Sequence, residues 1–291
     1  MTANTRGALL MISAMCAFTF NDAFMKALFG VLPLSQAVFL RGCLTTAAML
    51  ALAAWLGQMR LSVPRRDRML IAMRTSMEVA TAYFFLNALA NIPLANASAI
   101  LQALPLTVTL AGAVFLRQAI GWRRMAAILV GLCGVLLIVR PGLDGFTIYS
   151  LYALAAVVCI TARDVFSRQI AAEVPSLMIA LNNAIWVTIA FGVASIWADW
   201  APVSGTSWLI LIAAAGTIIV AYFCAVAAMR TGEIAVVQPY RYTSLIAAIL
   251  VGLVLFGEVP DGLTLLGAAI VAATGLYTFL REQRLAAGQR S

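Results

Sequence analysis

The sequence has no histidine, a single lysine and few charged residues of either sign. Charged residues make up 10% of the 291 positions and hydrophobic residues 64%, whereas an average soluble domain is about 25% charged and about 45–50% apolar. A soluble chain of this length needs far more polar surface to cover its core. The composition therefore excludes an ordinary soluble protein, a disordered chain and a disulfide scaffold, and it predicts a protein with several membrane spans.

The missing residue types also exclude several kinds of chemistry. Without histidine the chain lacks the commonest metal ligand and the commonest acid–base group at neutral pH. The lysine, Lys26, follows Met25, so there is no phosphate-binding loop of the form GxxxxGKS or GxxxxGKT. We therefore predict no metal, no cofactor, no ATPase activity of its own and no enzymatic function. We interpret the five cysteines, which have no metal or redox spacing, as small buried apolar residues: Cys16, Cys43, Cys133, Cys159 and Cys224.

Ten stretches are apolar enough to cross a bilayer, which takes about 20 mostly apolar residues. The connections between them are short, and none could hold a soluble domain. The first stretch continues through Asn21 and Asp22, which argues against a cleavable signal peptide. The predicted spans are 7–29, 34–57, 69–91, 95–116, 125–139, 147–166, 177–198, 207–229, 234–256 and 263–280.

The basic residues are distributed unevenly around these spans. Thirteen of the 19 fall outside the spans on one side, five fall within them, and one, Arg140, falls on the other side. Because loops rich in Lys and Arg remain in the cytoplasm, we predict that both termini are cytoplasmic. The same distribution explains the net charge of +8 as a topology signal and as contact with anionic lipids, rather than as nucleic-acid binding.

The two halves of the sequence match each other at an offset of about 140 residues. The segment 22–26 lies over 164–168, and Ala-Tyr-Phe at 82–84 lies over Ala-Tyr-Phe at 221–223. We interpret this as a duplication, with a first repeat over 1–141 and a second over 142–291. A repeat of five spans forces its second copy to enter the membrane upside down, which is common in secondary transporters with a substrate site between the copies.

The end of each half carries a further pattern. The first half has Pro105 followed by a short charged turn and a Gly-rich last helix, and the second has the turn Leu255-Phe256-Gly257-Glu258 before its own Gly-rich helix. In these features the chain resembles the EamA-type transporters of the drug/metabolite transporter superfamily. It departs from the family pattern at Gln118, where the family usually has Glu, and at Pro239, which precedes the position matching Pro105 (Leu245) by about one and a half turns. We therefore expect the two broken helices to bend at different depths.

The resemblance implies an all-α integral membrane protein whose ten transmembrane helices form two inverted five-helix repeats. It further implies a secondary transporter of the bacterial inner membrane, multi-pass, that exports small metabolites. Among family members the chain looks most like exporters of amino acids, including aromatic ones. The expected partners are a small-molecule substrate and membrane lipids, with no nucleic acid and no ATPase subunit, in a monomer or homodimer.

Eight charged residues lie within the predicted spans, where each costs roughly 2.5–3.5 kcal/mol at a helix centre unless it pairs or meets water. Simple local pairs explain some of them, because Asp22 with Lys26 and Arg74 with Glu78 have i,i+4 spacing. The neighbours Arg163 and Asp164 point about 100° apart, so we do not expect them to face one partner.

Two arginines, Arg41 and Arg241, have no such local explanation. Arg241 lies in the segment Gln-Pro-Tyr-Arg-Tyr at 238–242, where Pro239 removes a helix donor and predicts unwound backbone beside a cavity. The fourth span adds a polar stripe that includes Ser98 and Gln102, which could equally hold helices together. The candidate substrate-binding residues are Asp22, Arg41, Glu78, Tyr83, Asn96, Ser98, Gln102, Asp164, Trp186, Tyr222, Gln238, Tyr240, Arg241 and Tyr242, and the candidate hinges are Pro105 and Pro239.

The charges within the spans favour an amino-acid zwitterion, whose carboxylate would bind Arg41 or Arg241 and whose ammonium would bind an Asp or a tyrosine face. One alternative is a carrier, working as an importer or an exporter, for a nucleotide-derived or vitamin-like metabolite. An integral-membrane lipid-modifying enzyme is disfavoured by the absence of an acid–base or metal constellation, and a channel is a further alternative. Proton coupling through Asp22, Glu78 or Asp164, exchange and facilitated diffusion all remain open.

Overall fold

The computed structural model describes residues 2–55, 65–116, 121–140, 147–167, 169–171, 174, 176–231 and 237–288. The predicted repeat boundary at 141–142 and the unusual Gln118 lie outside these residues, as do parts of the predicted spans 34–57 and 234–256. The described residues are helical apart from short connections. The helices are α1 Ala3–Phe29, α2 Leu34–Trp55, α3 Arg65–Asn91, α4 Leu94–Leu101, α5 Leu104–Leu116, α6 Trp122–Val139, α7 Ile148–Ser167, α8 Ser176–Ser195, α9 Gly205–Thr231, a 3-10 helix Gln238–Tyr242, α10 Thr243–Phe256 and α11 Gly262–Gly288.

Among the described residues, eight helical segments are long and apolar enough to cross a membrane, with α4 and α5 together forming one of them. Two predicted spans fall short of these criteria. The third corresponds to α3, whose first turns carry Arg66, Asp67 and Arg68, and the fifth corresponds to the shorter apolar segment Met125–Val139. The all-helical membrane architecture predicted from the sequence is confirmed.

The fourth and ninth predicted spans are each interrupted. In the fourth, α4 ends at Leu101 and α5 begins at Leu104, with Gln102 and Ala103 in a turn. Pro105 lacks an N–H and its ring crowds the carbonyl of residue 101, so a continuous α-helix is disfavoured at this point. In the ninth, Pro239 lies in the first turn of the 3-10 helix, where its missing donor costs nothing.

The two interruptions lie at corresponding positions of the repeat. The change from 3-10 to α-helix at Tyr242–Thr243 matches the turn at Gln102–Ala103. Pro239 lies within the 3-10 segment that precedes this change. The expectation that the two helices bend at different depths stays a prediction.

The main contacts between helices join one half of the chain to the other. The most extensive contacts join α1 to α9, α3 to α7, α6 to α11 and α2 to α8, and each of these pairs combines a helix of the first half with one of the second. If each helix is replaced by its counterpart in the other half, the α1–α9 pair becomes the α3–α7 pair. The α6–α11 and α2–α8 pairs stay the same. Such reciprocity is what two inverted repeats produce around a shared axis.

The α6–α11 pair crosses where two glycines meet, Gly134 and Gly267. A Cβ atom on Gly267 would lie 2.6 Å from the carbonyl oxygen of Gly134, and one on Gly134 would lie 2.9 Å from that of Gly267. Small residues allow helix backbones to approach closely in membranes, where van der Waals packing replaces the hydrophobic effect. This contact lies within one chain. It explains the small residues at Gly134 and Gly267 by packing between α6 and α11 of the same molecule.

We expect Gly267→Val to lower the thermal stability of the purified protein, because the added side chain must push α6 and α11 apart. Overpacking of this kind costs about 1–3 kcal/mol. The matched control is Gly216→Val, in the interior of α9, where an added Cβ meets nothing within 4 Å. Apparent Tm values measured in detergent by loss of the monodisperse peak on gel filtration would compare the two, and equal Tm values would contradict a packed glycine crossing.

One end of the molecule, here called the Glu258 end, carries several contacts between the halves. Arg140 follows α6 and binds Asp261, which precedes α11, and the Gln36 side chain donates to the Ala201 carbonyl at 2.8 Å and accepts from the Ala201 N–H at 3.0 Å. The hydrogen bond from Arg140, together with one from the Thr264 N–H, lowers the pKa of Asp261 to about 2. The Asp261 carboxylate therefore stays charged at ordinary experimental pH. The opposite end, which carries Arg68 near the start of α3, is called the Arg68 end.

Candidate functional site

Charged side chains from both halves meet between the two ends, in a group we call the central cluster. Each member lies within electrostatic range of at least one other, and together they come from five helices and the 3-10 segment. Charged groups inside a membrane protein are costly and generally mark a functional pathway. The central cluster comprises Asp22, Arg41, Arg74, Glu78, Arg163, Asp164, Tyr222 and Arg241.

Arg163 on α7 organises the acidic side of the cluster. Its guanidinium binds Glu78 Oε2 on α3 at 3.1 Å and Asp164 Oδ1 at 2.8 Å. The two neighbours bind each other, which the sequence did not predict, because the long arginine side chain folds back onto Asp164. One cation therefore neutralises two carboxylates.

Arg74 does not form the predicted hydrogen-bonded pair with Glu78. Its Nε atom donates to Ser167 Oγ at 2.7 Å, and Ser167 in turn donates to the Arg163 carbonyl at 2.7 Å. Glu78 forms its ion pair with Arg163 instead. Its carboxylate attracts Arg74 electrostatically without a hydrogen bond between them. The buried NH1 atom of Arg74 has no hydrogen-bond partner among the described residues.

Asp22 and Arg41 meet on the opposite side of the cluster. The Asn21 amide bridges them, donating to Asp22 Oδ1 at 3.0 Å and accepting from Arg41 NH1 at 3.0 Å. The predicted local pair of Asp22 with Lys26 is not formed, because Lys26 turns to Glu258. Asp22 thus has an amide as its direct partner, whereas its repeat counterpart Asp164 has a guanidinium.

Tyr222 on α9 lies between these two groups. It is within electrostatic range of Glu78, Arg163 and Arg41, and its ring packs edge-on against Phe18, with centroids 5.4 Å apart. Phe18 is one turn from Asp22 on α1. Tyr222 therefore presents an aromatic face and a hydroxyl between the acidic and the amide-bridged sides.

Arg241 enters the cluster from the 3-10 segment. Its side chain is exposed. It lies within electrostatic range of Asp164 and Arg163, but no carboxylate of the described residues lies within ion-pair distance of it. The neighbouring Tyr242 packs against Gly275 of α11 so closely that no side chain fits there. Tyr240 is exposed, and the side chain of Gln238 lies outside the described part of the chain.

The predicted polar stripe on the fourth span faces the second half. Gln102 Nε2 donates to Ser244 Oγ at 3.0 Å, and Ser244 Oγ donates to the Arg241 carbonyl at 3.0 Å. This chain of bonds connects the two helix interruptions. Ser98 is buried one turn away on the same face, and Asn96 lies in the first turn of α4. Pro105 is exposed, and Pro239 is half-buried.

Two predicted aromatic residues lie elsewhere. Tyr83 joins Phe84 and Tyr152 in an aromatic group between α3 and α7, with centroids 5.3–6.2 Å apart. Trp186 lines a cavity of about 420 Å³ between α3 and α8, together with Arg68 and Asn182. Nothing in the described contacts connects either residue to the central cluster.

Sequence reasoning missed the residues that connect one helix to another. Asn21, Ser167 and Ser244 each bridge charged or polar groups from different helices, and Thr75 bonds Asn182 and Asn183 of α8 at 2.8 and 3.0 Å. Only Asn21 had a local signal, as the neighbour of Asp22. Among the described residues, no group of three or more His, Cys, Asp and Glu side chains could hold a metal ion.

Comparison with known proteins places the chain in a family. The model of the EamA-like transporter family matches it twice, over residues 5–140 and 147–280. A riboflavin transporter of Vibrio cholerae is 26% identical over 98% of this chain and 97% of its own length. The pseudopaline exporter CntI of Pseudomonas aeruginosa is 25% identical over 91% and 93%, and an S-adenosylmethionine uptake transporter of Rickettsia conorii is 25% identical over 66% and 65%.

A crystal structure shares the fold at 19% identity, with a TM-score of 0.66, and the match covers 95% of this chain and 97% of that one. The two family matches together cover nearly all of the sequence, and the relatives above are named as transporters. The described part of the chain contains eight helical segments long and apolar enough to span a membrane. The chain therefore belongs to the EamA-like transporter family and is a multi-pass membrane transporter of small molecules.

Proposed function

We propose that this protein is an inner-membrane secondary transporter that works by alternating access and exports a small metabolite bearing a carboxylate, an amino acid in the first instance. The Glu258 end would face the periplasm, and both termini the cytoplasm, as the distribution of arginines indicates. The central cluster would hold the substrate between residues 1–141 and 142–291, which we treat as its two inverted repeats. Export follows from the resemblance to amino-acid exporters.

The observation that carries this proposal is the charge balance of the central cluster. Arg163 already binds both Glu78 and Asp164, which leaves Arg41, Arg74 and Arg241 with Asp22 as the remaining carboxylate. Arg41 and Arg74 are half-buried, and uncompensated cations in a poorly solvated interior are expensive. A substrate carboxylate would offset that cost, since guanidinium groups bind carboxylates through paired, charge-assisted hydrogen bonds.

An amino acid would use the rest of the cluster as well. Its ammonium group could bind Asp22, whose direct partner is the neutral Asn21 amide, and an aromatic side chain could pack on Tyr222. Arg241, the exposed cation at the helix interruption, would bind the carboxylate. The proposed binding residues thus come from α1, α9 and the 3-10 segment.

A second candidate substrate is a vitamin-like or nucleotide-derived metabolite, which the protein would take up or export. The match of nearly full length to a protein named riboflavin transporter favours it, as does the match to one named S-adenosylmethionine uptake transporter. Riboflavin has a planar ring system and a hydroxylated chain but no carboxylate. It would therefore use the aromatic and amide groups of the site and leave the arginines without a counterion.

Counterflow in proteoliposomes separates these candidates. Vesicles preloaded with one unlabelled compound are assayed for uptake of the same labelled compound, with neutral and aromatic amino acids, riboflavin and S-adenosylmethionine tested in turn. We expect saturable counterflow with an amino acid. Counterflow with riboflavin alone would establish the second candidate, absence of counterflow for every amino acid would rule out the first, and flux without saturation would indicate a channel.

A further inference from the structure

Lys26 lies near the end of α1 and is held at the Glu258 end by three other segments. Its ammonium group contacts Glu258 Oε1 at 2.7 Å and donates to the Ile92 carbonyl at 2.5 Å. It also lies 5.6 Å from the centre of the Phe256 ring. The side chains of Lys26 and Glu258 are 12% and 18% exposed, so water screens this pair poorly.

Glu258 uses its second oxygen at a different place. Its Oε2 atom accepts a hydrogen bond from the N–H of Leu94, the first residue of α4, at 2.7 Å. The first N–H groups of a helix have no partner within the helix, and a carboxylate there is favoured by the helix dipole. One carboxylate therefore joins α1 and the start of α4 to the turn between α10 and α11.

This pair lies directly above the central cluster. Asp22 precedes Lys26 by one turn of α1, about 6 Å along the helix axis. The segments that Lys26 and Glu258 connect, α1, the start of α4 and the turn after α10, therefore lie about one helix turn from the cluster on the side of the Glu258 end.

The segments around the pair are in van der Waals contact at this end. A Cβ atom on Gly252 of α10 would lie 3.9 Å from Leu94 and 3.4 Å from Glu258 Oε2, and α4 packs against α10. Beyond the interruption at Gln102–Ala103, α5 packs mainly against α7 and α6 in the described part of the chain. The fourth and ninth spans therefore meet at the Glu258 end and separate towards the Arg68 end.

We propose that Lys26 and Glu258 form the gate that closes the Glu258 end of the transport pathway, with the helix terminus at Leu94 as its third component. The inference rests on the proposed alternating-access mechanism, since the gate must break whenever the site opens to that side. Neither Lys26 nor Glu258 is among the residues proposed to bind substrate. In this proposal the pair controls access to the substrate site and makes no contact with the substrate.

Thiol accessibility tests this gate. The reporter is Ser98→Cys in the full-length protein with its five native cysteines replaced by alanine. Ser98 is buried on the α4 face that meets α10, between the gate and the central cluster. A membrane-impermeant maleimide is applied to right-side-out and to inside-out vesicles. Val259→Cys, at an exposed position beside Glu258, shows which membrane face carries the Glu258 end.

From that face we expect slow modification of the Ser98→Cys reporter when the gate is intact. Lys26→Met and Glu258→Gln should each accelerate it by about tenfold or more, which corresponds to about 1.4 kcal/mol. The double variant should resemble either single variant, because both substitutions break the same interaction. Modification from the opposite face should slow in the same variants.

The matched control is the other ion pair between the halves at this end. Arg140→Met and Asp261→Asn break a pair that joins the closely packed helices α6 and α11, and we expect the reporter rate to stay within about twofold. Equal acceleration by these controls would show general loosening and overturn the gate, and so would unchanged rates in Lys26→Met and Glu258→Gln. The assay uses no substrate, so its failure is distinguishable from failure of the counterflow test.

Discussion

Replacing Arg163 by methionine is expected to destabilise the protein by roughly 3 kcal/mol and to abolish transport. Removing one partner of a buried ion pair is strongly destabilising, by about 3–5 kcal/mol, because the remaining charge stays buried without compensation. Here one substitution leaves two carboxylates, Glu78 and Asp164, without their cation. We take the lower figure because the Arg163 side chain is 23% exposed. The apparent Tm in detergent and counterflow in proteoliposomes measure the two effects.

Three further variants identify the cause. Arg163→Lys keeps the charge but not the forked geometry, so it should recover part of the stability. Glu78→Gln with Asp164→Asn in the Arg163→Met background removes the orphaned charges and should raise the Tm above that of Arg163→Met alone. Arg123→Met, at an exposed position beside Trp122, is the control for loss of an arginine. A stable Arg163→Met protein would show that the carboxylates are neutral or well hydrated without it.

Truncating Arg241 should reduce transport while leaving the fold intact. If a substrate carboxylate binds this guanidinium, Arg241→Ala removes a charge-assisted contact that costs about 2–5 kcal/mol when broken. We therefore expect the apparent substrate affinity in counterflow to fall by about 100-fold. The Tm should change little, because Arg241 forms no ion pair with a carboxylate of the described residues.

Arg140→Ala serves as the control for this prediction. It removes the same side chain at the Glu258 end, away from the central cluster, and should leave the apparent affinity unchanged. Arg241→Lys should give an intermediate affinity, since a point charge replaces a planar fork. Normal transport of every substrate by Arg241→Ala would show that Arg241 does not bind the carboxylate. The charge balance of the central cluster would then not support a carboxylate site at this arginine.

The architecture could be predicted because its signals are local. Apolar stretches of membrane-spanning length give the helices, and Pro105 and Pro239 mark the two interruptions. The matching Asp22 and Asp164 segments indicate the repeat. Each of these features depends on residues close together in the sequence, or on one constant offset.

The partners of the charged residues could not be predicted in the same way. Spacing rules paired Lys26 with Asp22 and Arg74 with Glu78, because i,i+4 neighbours share a helix face. The fold instead places Glu258, 232 positions away in the sequence, beside Lys26, and Arg163 beside Glu78. An unpaired charge in the membrane is costly, so each charged side chain binds the strongest partner within its reach. The packing of the helices determines which partners are within reach.

The exchange of packing between the halves has a consequence for how the chain is made. The main contacts of α1, α2, α3 and α6 are with helices of the second half, and contacts within each half are sparse among the described residues. A ribosome finishes the first five spans before any of those partners exists. Until α7 to α11 are inserted, the newly made helices have only lipid against their packing faces and Arg163 is missing beside Glu78. Assembly of this transporter is therefore a late event of its synthesis, completed by the second half.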